Sequence, residues 1–141
     1  MCDFCKIINK ELDAHIICET DKNTAFLDYE PINEGHVLIV PKIHVDSIID
    51  VTDDILADMN GIIRKLVCAY KKIYKAECYS IMQNGGKCCD YGHFHLHVFP
   101  RFDGDGFGWT DSGRPSEYSE RVATLLREEM KRRNLLLCQT Q

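Results

Sequence analysis

Residues 93–99 read His-Phe-His-Leu-His-Val-Phe, so three histidines alternate with apolar residues. A period of two is the period of a β-strand, in which successive side chains point to opposite faces. We therefore predict a strand that projects three imidazoles from one face and packs Phe94, Leu96 and Val98 on the other. Imidazole has an unperturbed pKa near neutrality, so such a face suits proton transfer, phosphoryl chemistry or metal binding.

The length of 141 residues suffices for one domain with a single hydrophobic core. We predict one domain over residues 1–141, with a core over about 2–109 and a helical extension over about 115–134. A net charge of −5 argues against a nucleic-acid polymer as partner, because such binders normally carry a basic patch. No apolar run is long enough for a membrane span, and no signal peptide is evident. We therefore expect a cytoplasmic protein without a membrane partner, whose eight cysteines are reduced or bind metal.

Residue periodicity predicts an α+β fold on an antiparallel sheet. Short β-branched and aromatic runs predict strands over residues 15–19, 24–28, 37–40, 78–82 and 93–99. A long helix is predicted from about Asp53 to Tyr74, where apolar residues recur at helical spacing. A final helix is predicted from about Ser116 onward. Its expected buried face comprises Val122, Leu125, Leu126 and Met130.

Further motifs accompany the three histidines. Residues 35–44 read Gly-His-Val-Leu-Ile-Val-Pro-Lys-Ile-His, Asn84 and Gly85 precede the histidine strand, and Pro-Arg follows it. Together these motifs resemble the histidine triad (HIT) superfamily of nucleotidyl hydrolases and transferases, over about residues 2–109. The resemblance implies a HIT-like fold, in which an antiparallel sheet of about five strands accompanies one long central helix and a C-terminal helix.

The resemblance also implies roles for individual residues. His95, the middle histidine, would be the nucleophile that takes up a nucleoside monophosphate from the α-phosphate, and His97 would bind that phosphate and help with proton transfer. Asp28 would hold the ribose hydroxyls, although a carboxylate at a strand end reads by itself as a turn former. The other implied nucleotide-binding residues are Phe26, Leu27, Tyr29 and Asn84.

One segment departs from the family pattern. Many members carry Gly-Gln-Ser or Gly-Gln-Thr just before the triad, with a hydroxyl on the phosphate, whereas residues 88–92 here read Cys-Cys-Asp-Tyr-Gly. Asp90 then falls at the nucleotide site, where an ionised carboxylate would repel a phosphate. We expect Asp90 to orient a histidine or to turn away.

Two cysteines and two histidines form a second candidate site. Cys2-x-x-Cys5 alone also reads as an ordinary or redox-active pair of thiols. Zinc-binding bacterial-type HIT relatives use such a pair, the histidine after Pro-Lys and the first triad histidine, which are His44 and His93 here. Two thiolates and two imidazoles complete a tetrahedral structural site. We therefore expect a structural Zn²⁺, with no metal required for the chemistry.

The leading hypothesis is a HIT-type nucleotidyl hydrolase, a phosphoramidase or dinucleoside polyphosphate hydrolase. It would act on the α-phosphate of purine nucleoside phosphoramidates, nucleotidyl anhydrides or dinucleoside polyphosphates, through a covalent nucleotidyl-histidine intermediate. One alternative is a nucleotide-binding regulatory or scaffold module with little catalysis, which only Asp90 favours. Another places a catalytic metal on the three histidines.

Two further expectations concern assembly and the remaining histidines. The resemblance implies a homodimer in which the long helix pairs across a two-fold axis and the sheets continue across the interface, and the wide apolar stripe of that helix agrees. His15 and His36 are interpreted as structural, because nothing near them in the sequence recruits them into chemistry.

Overall fold

The structure is a computed structural model that describes residues 2–89, 91–111, 113–114 and 118–137, without the side chains of 133–137. The chain divides into two compact units, Met1–Phe107 and Gly108–Gln141, and each is described by itself. The single domain over residues 1–141 stays a prediction. None of the described helices is long and apolar enough to cross a membrane.

The first unit contains the predicted antiparallel sheet of five strands. The strands are β1 (Ile16–Glu19), β2 (Asn23–Leu27), β3 (Val37–Pro41), β4 (Cys78–Met82) and β5 (Leu96–Arg101). They lie in the order β1-β2-β3-β5-β4, and every neighbouring pair is antiparallel. With helices α1 (Asp3–Ile8) and α2 (Asp53–Ile73), this sheet confirms the predicted α+β class.

Helix α2 covers one face of the sheet. It ends one residue before the predicted Tyr74, with acidic residues in its first turn and lysines in its last, as the helix dipole favours. Its buried residues are Ile55, Met59, Ile62, Ile63, Leu66 and Tyr70. They share one cluster with Phe94, Leu96 and Val98, so the predicted apolar face of the histidine segment is confirmed.

The other face of the sheet carries the smaller cluster, to which α1 contributes. Phe4, the buried residue of α1, packs with Phe26, Leu38 and Val40. Leu38 pairs directly with His97 across β3 and β5. Because opposed residues in a ladder point to the same face, the histidines lie on the α1 side of the sheet.

Strand β5 begins at Leu96, three residues later than predicted. Its ladder with β3 ends at the pair Ile39–Leu96, close to Pro41, which has no N–H to continue the pairing. The N–H of Phe94 instead donates to the carbonyl oxygen of Val45 at 2.6 Å. The backbone at Phe94 is therefore hydrogen-bonded to the loop after β3 rather than to β3 itself.

The second unit contains helix α3 (Glu120–Leu137). It begins later than the predicted Ser116, which lies outside the described residues. The prediction of its buried face is wrong for Leu125, Leu126 and Met130, which are exposed, whereas Val122 is half-buried. An apolar stripe indicates a face suited to burial, but it does not specify that the same chain covers it.

Candidate active site and metal cluster

Four side chains from three separate segments meet beside α1. The Sγ atom of Cys2 lies 3.4 Å from Nδ1 of His93, and the Sγ atom of Cys5 lies 3.3 Å from Nδ1 of His44 and 3.6 Å from Nδ1 of His93. All four donor atoms lie within 4.8 Å of one another. A tetrahedral zinc ion with ordinary bond lengths holds its sulfur and nitrogen ligands about 3.5 Å apart. The predicted residues therefore fit zinc in spacing as well as in donor type.

The second nitrogen of each histidine in this cluster has an acceptor nearby. Nε2 of His93 donates to the carbonyl oxygen of Pro41 at 3.0 Å, and Nε2 of His44 lies 3.2 Å from a carboxylate oxygen of Asp46. A proton on Nε2 leaves the lone pair on Nδ1, which is the state that binds a metal. Desolvation and the adjacent Cys2 raise the pKa of Cys5, so a thiolate there needs a compensating cation.

His95 has a defined tautomer. Its Nδ1 lies 2.8 Å from the carbonyl oxygen of His93, and a carbonyl only accepts hydrogen bonds, so the ring proton is on Nδ1. The lone pair of the neutral ring is therefore on Nε2, where a nucleophile needs it. The residue is only 3% exposed, and its ring lies against the rings of Phe4, Tyr91 and His97.

A fourth histidine belongs to this site. Nδ1 of His36 accepts the backbone N–H of Ile32 at 3.2 Å, so a neutral His36 carries its proton on Nε2. That Nε2 lies 3.0 Å from Nδ1 of His97 and donates to it. Burial lowers the pKa of His36, which is 1% exposed, although Asp28 opposes the shift. A neutral His97 that accepts on Nδ1 carries its own proton on Nε2.

The interpretation of His36 as structural was therefore incomplete. His36 is buried, as a structural residue would be. No catalytic candidate lies near it in the sequence, but His97 lies against it in space. His36 lies two residues before Leu38, on the same face, and Leu38 pairs with His97. Knowledge that β3 pairs with β5 would have predicted the contact.

The loop that carries Ile32 is fastened to the end of β5. Nδ2 of Asn33 lies 2.9 Å from the carbonyl oxygen of Pro100 and 2.9 Å from Oδ2 of Asp105. The Arg101 guanidinium donates to Asp105 at 2.7 Å and holds the pKa of that carboxyl well below its usual range. The Pro-Arg motif thus anchors the backbone that orients His36.

Asp28 is both a turn former and a neighbour of the histidines. Its Oδ1 accepts the N–H of Glu30 at 3.0 Å, as a carboxylate at a strand end commonly does. Its Oδ2 lies 3.4 Å from Nδ1 of His36 and 3.9 Å from Nδ1 of His97. Two carboxylate oxygens offer about four acceptor positions, so the turn leaves capacity for ribose hydroxyls.

The residues on either side of Asp28 lie in different surroundings. Phe26 is buried on the histidine face, 5.6 Å from the ring of Phe4. Leu27 pairs with Val37 of the α2 cluster, so its side chain lies on the opposite face from the histidines. Tyr29 is exposed, and its hydroxyl lies 2.9 Å from that of Tyr91.

The two remaining predicted nucleotide-binding residues lie before the triad. Asn84 is half-buried and follows β4, whose last residue, Met82, pairs with His97. Asp90 lies outside the described residues.

The three triad histidines do not surround a common ion. Nδ1 of His93 faces the thiols, whereas Nδ1 of His95 faces a backbone carbonyl. Among the described residues, the groups suited to a metal are Cys2, Cys5, His44 and His93, and Asp28, His36 and His97. In the second group the two imidazoles are hydrogen-bonded to each other, which engages the nitrogens that a metal would need.

Comparison with known proteins places this fold and site in one family. The model of the HIT domain matches residues 9–104, and the chain belongs to the HIT family. An uncharacterized HIT-like protein from Methanocaldococcus jannaschii is 40% identical over 108 residues, which are 75% of this chain and 83% of the relative. An adenosine 5'-monophosphoramidase from Candida albicans is 34% identical over 138 residues, 92% of this chain and 91% of the enzyme.

Solved structures of the family have the same fold. A HIT family protein from Bacillus anthracis superposes with a TM-score of 0.83 at 28% identity, over 93% of this chain and 95% of that protein. A zinc-bound histidine triad family protein from Mycobacterium smegmatis superposes with a TM-score of 0.70 at 29% identity, over 96% of each chain. The predicted HIT-like fold is confirmed.

Proposed function

We propose that this chain is a nucleotidyl hydrolase that attacks the α-phosphorus of purine nucleoside phosphoramidates, nucleotidyl anhydrides or dinucleoside polyphosphates through His95. The observation that carries the proposal is the tautomer of His95, whose Nδ1–H donates to the carbonyl oxygen of His93 and whose lone pair is therefore on Nε2. The similarity to an adenosine 5'-monophosphoramidase supports phosphoramidates as the first substrates to test.

In the first step, Nε2 of His95 forms a bond to phosphorus while the bond to the leaving group breaks. The leaving group departs with a proton drawn from solvent. The carbonyl of His93 faces the Nδ1 proton and stabilises the positive charge on the nucleotidyl-imidazolium. Because Nδ1 of His97 accepts from His36, its Nε2–H is assigned to a phosphate oxygen. This arrangement favours phosphate binding over proton donation as the role of His97.

In the second step, water attacks phosphorus from the side opposite His95 and the phosphorus–nitrogen bond breaks. The nucleoside monophosphate leaves, one proton returns to solvent, and His95 regains its neutral form.

Asp28 would hold the ribose hydroxyls beside His36 and His97, with Phe26 as the buried wall of the site. Tyr29 and Asn84 remain candidates for nucleotide contacts, whereas the face on which Leu27 lies gives no support to its assignment.

The nucleophile is tested by His95→Asn, with His15→Asn at an exposed position as the matched control. We expect His95→Asn to lower kcat on an AMP phosphoramidate roughly 10³-fold or more while calorimetry still detects AMP binding. The control should retain wild-type rates. Wild-type turnover in His95→Asn would contradict the proposed nucleophile. AMP binding by a wild-type protein that hydrolyses no phosphoramidate, diadenosine polyphosphate or adenylated amino acid would favour the regulatory module instead.

We also propose a structural zinc ion at Cys2, Cys5, His44 and His93. The ligand spacing, the acceptors on both histidine Nε2 atoms and the similarity to a zinc-bound family member support this site. We also propose a cytoplasmic location, where a reducing environment would keep cysteines outside the zinc site as thiols. When bound, the ion supplies folding free energy and takes no part in the reaction.

Elemental analysis tests the zinc site. We expect about one zinc per chain in the wild type, its loss in Cys5→Ser, and its retention in Cys68→Ser, an exposed thiol outside the cluster. A zinc-free wild-type protein, purified without chelator, would return Cys2 and Cys5 to ordinary thiols.

A homodimer is the proposed assembly, with β4 as its contact. This strand forms one edge of the sheet, and its Tyr79 and Ile81 are exposed. An uncovered apolar edge favours pairing with another strand. Most of the α2 stripe is buried in the chain's own core, so α2 leaves less free apolar surface than its sequence predicts. Sedimentation should show a dimer that Ile81→Glu dissociates. The control Ile17→Glu, on the other edge strand, should leave the dimer intact. A wild-type monomer at micromolar concentration would refute the proposed homodimer.

A further inference from the structure

Phe4 connects the metal cluster to the proposed nucleophile. It lies in α1 between the metal-binding candidates Cys2 and Cys5, and it is the buried residue of that helix. Its ring lies edge-to-face against the His95 ring, with 5.1 Å between centroids and 77° between planes. The same ring stacks on Tyr91 at 4.7 Å. Phe4 therefore touches the imidazole that the chemistry uses.

Two of the candidate metal ligands, Cys2 and Cys5, flank Phe4 in the sequence. Helix α1 has six residues, and isolated helices shorter than about 12 residues are marginal in water. Ligation of Cys2 and Cys5 would fix both ends of the segment that carries Phe4. The ring of Phe4 thus reaches His95 from a segment that a bound metal would hold in place.

His95 has a second support from the same cluster. Its Nδ1–H donates to the carbonyl oxygen of His93, and His93 is itself a ligand candidate. The hydrogen bond restrains one edge of the imidazole, while Phe4 packs against the ring from the α1 side. Rotation of the ring away from the His93 carbonyl would break the bond that holds the proton on Nδ1.

We propose that Phe4 is a positioning residue. When the four candidate metal ligands are ordered, Phe4 is held against the His95 ring and fixes its orientation. The inference rests on the proposed function, since the role of His95 as nucleophile is part of it. With a metal ion bound at the four-ligand site, Phe4 restrains the His95 imidazole so that Nε2 faces the α-phosphorus of the substrate. Without Phe4, the ring samples other orientations, so kcat falls while substrate binding and metal content are preserved.

The test uses zinc-loaded, full-length Phe4→Ala and Phe4→Leu, with Ile8→Ala as the matched control. Ile8 lies in the same helix as Phe4 and packs against the same apolar cluster. Unlike Phe4, it has no aromatic ring to pack against the His95 imidazole. We expect Phe4→Ala to lower kcat roughly 10- to 100-fold, because small misplacements of a reacting group cost this much, with KM little changed. Phe4→Leu, which preserves most of the apolar volume, should be intermediate, and Ile8→Ala should be close to wild type.

A second measurement does not depend on turnover. Long-range ¹H–¹⁵N NMR of the histidine rings reports which nitrogen of His95 carries the proton. We expect a single Nδ1–H tautomer in the wild type and in Ile8→Ala, and a mixture in Phe4→Ala. A wild-type protein without activity but with this NMR pattern would contradict the proposed function alone. An unchanged tautomer in Phe4→Ala would overturn the positioning role.

A mutant cycle with Cys5→Ser tests transmission from the cluster. If Phe4 carries the coupling, Cys5→Ser and Phe4→Ala each lower kcat, and the double variant loses little beyond the larger single effect. Should the two losses multiply, the two residues act independently and the proposal is wrong. Circular dichroism of each variant shows whether a loss of kcat reflects unfolding.

Discussion

Replacement of His36 tests the hydrogen bonds that orient His97. His36→Leu introduces an apolar side chain of similar size and removes the Nε2–H that His97 accepts and the acceptor of the Ile32 N–H. Two lost hydrogen bonds are worth about 1 kcal/mol each, and the polar groups left part-buried without these partners add about 1–3 kcal/mol. We therefore expect a loss of stability of about 3–5 kcal/mol.

The effect on catalysis should be separable from the effect on stability. His97 in His36→Leu loses the partner that fixes its proton on Nε2, and removal of such an orienting partner costs roughly 10²-fold in rate. We expect this loss in kcat on an AMP phosphoramidate, with a smaller loss in His36→Gln because its amide still donates. Urea denaturation of each variant provides the free energy of unfolding.

Phe99→Leu is the matched control for buried packing. The Phe99 ring is fully buried 4.9 Å from the His36 ring, and its replacement leaves the hydrogen bonds of His36 intact. We expect lower stability with kcat within about threefold of wild type. Equal losses of stability in His36→Leu and Phe99→Leu, with wild-type kcat in both, would refute the orienting role and leave His36 as a structural residue.

Three other predictions follow from the surroundings of His36. Gly35→Ala should cost about 1–3 kcal/mol in urea denaturation, because Gly35 has a φ of +88° and an added Cβ would lie 2.9 Å from Tyr74. Stability of the zinc-saturated protein should fall as pH drops below about 6.5, because burial lowers the pKa of His36 in the folded state and the unfolded chain then binds the extra proton. The slope, up to about 1.4 kcal/mol per pH unit, should shrink in His36→Gln. Asp105→Ala should speed amide hydrogen exchange at Ile32, since the carboxylate accepts from the loop that holds this amide; unchanged exchange would show that the other contacts suffice.

Much of the fold could be predicted because its elements carry strong periodic signals. Helix α2 was predicted to within one residue, and the alternation at 93–99 assigned the apolar side chains to the correct face. The start of β5 could not be predicted in this way. It depends on Pro41 of another strand and on a hydrogen bond from Phe94 to Val45, neither of which alters the local pattern.

The candidate site was predicted as a set of side chains, not as an arrangement of protons. The period-two spacing brought the three histidines forward, and the family resemblance then assigned the roles of His95 and His97 and completed the set of metal ligands. The tautomers depend on backbone groups that any residue supplies: the carbonyl of His93 and the N–H of Ile32. Such groups leave no trace in a sequence, so the chemical state of a histidine becomes readable only when its neighbours in space are known.

The motif Gly35-His36 shows how a sequence signal and a spatial cause combine. Gly35 occupies the left-handed region and lies against Tyr74, so the chain can turn there without a side chain in the way. The hydroxyl of Tyr70 also lies 2.9 Å from the carbonyl oxygen of Gly35 and 3.0 Å from that of Val98, which fastens α2 to β5 and to the turn that precedes β3. This anchor lies next to His36, which precedes β3, and next to His97 in β5. The core contacts of α2 on one face therefore fix the separation of the two imidazoles on the other.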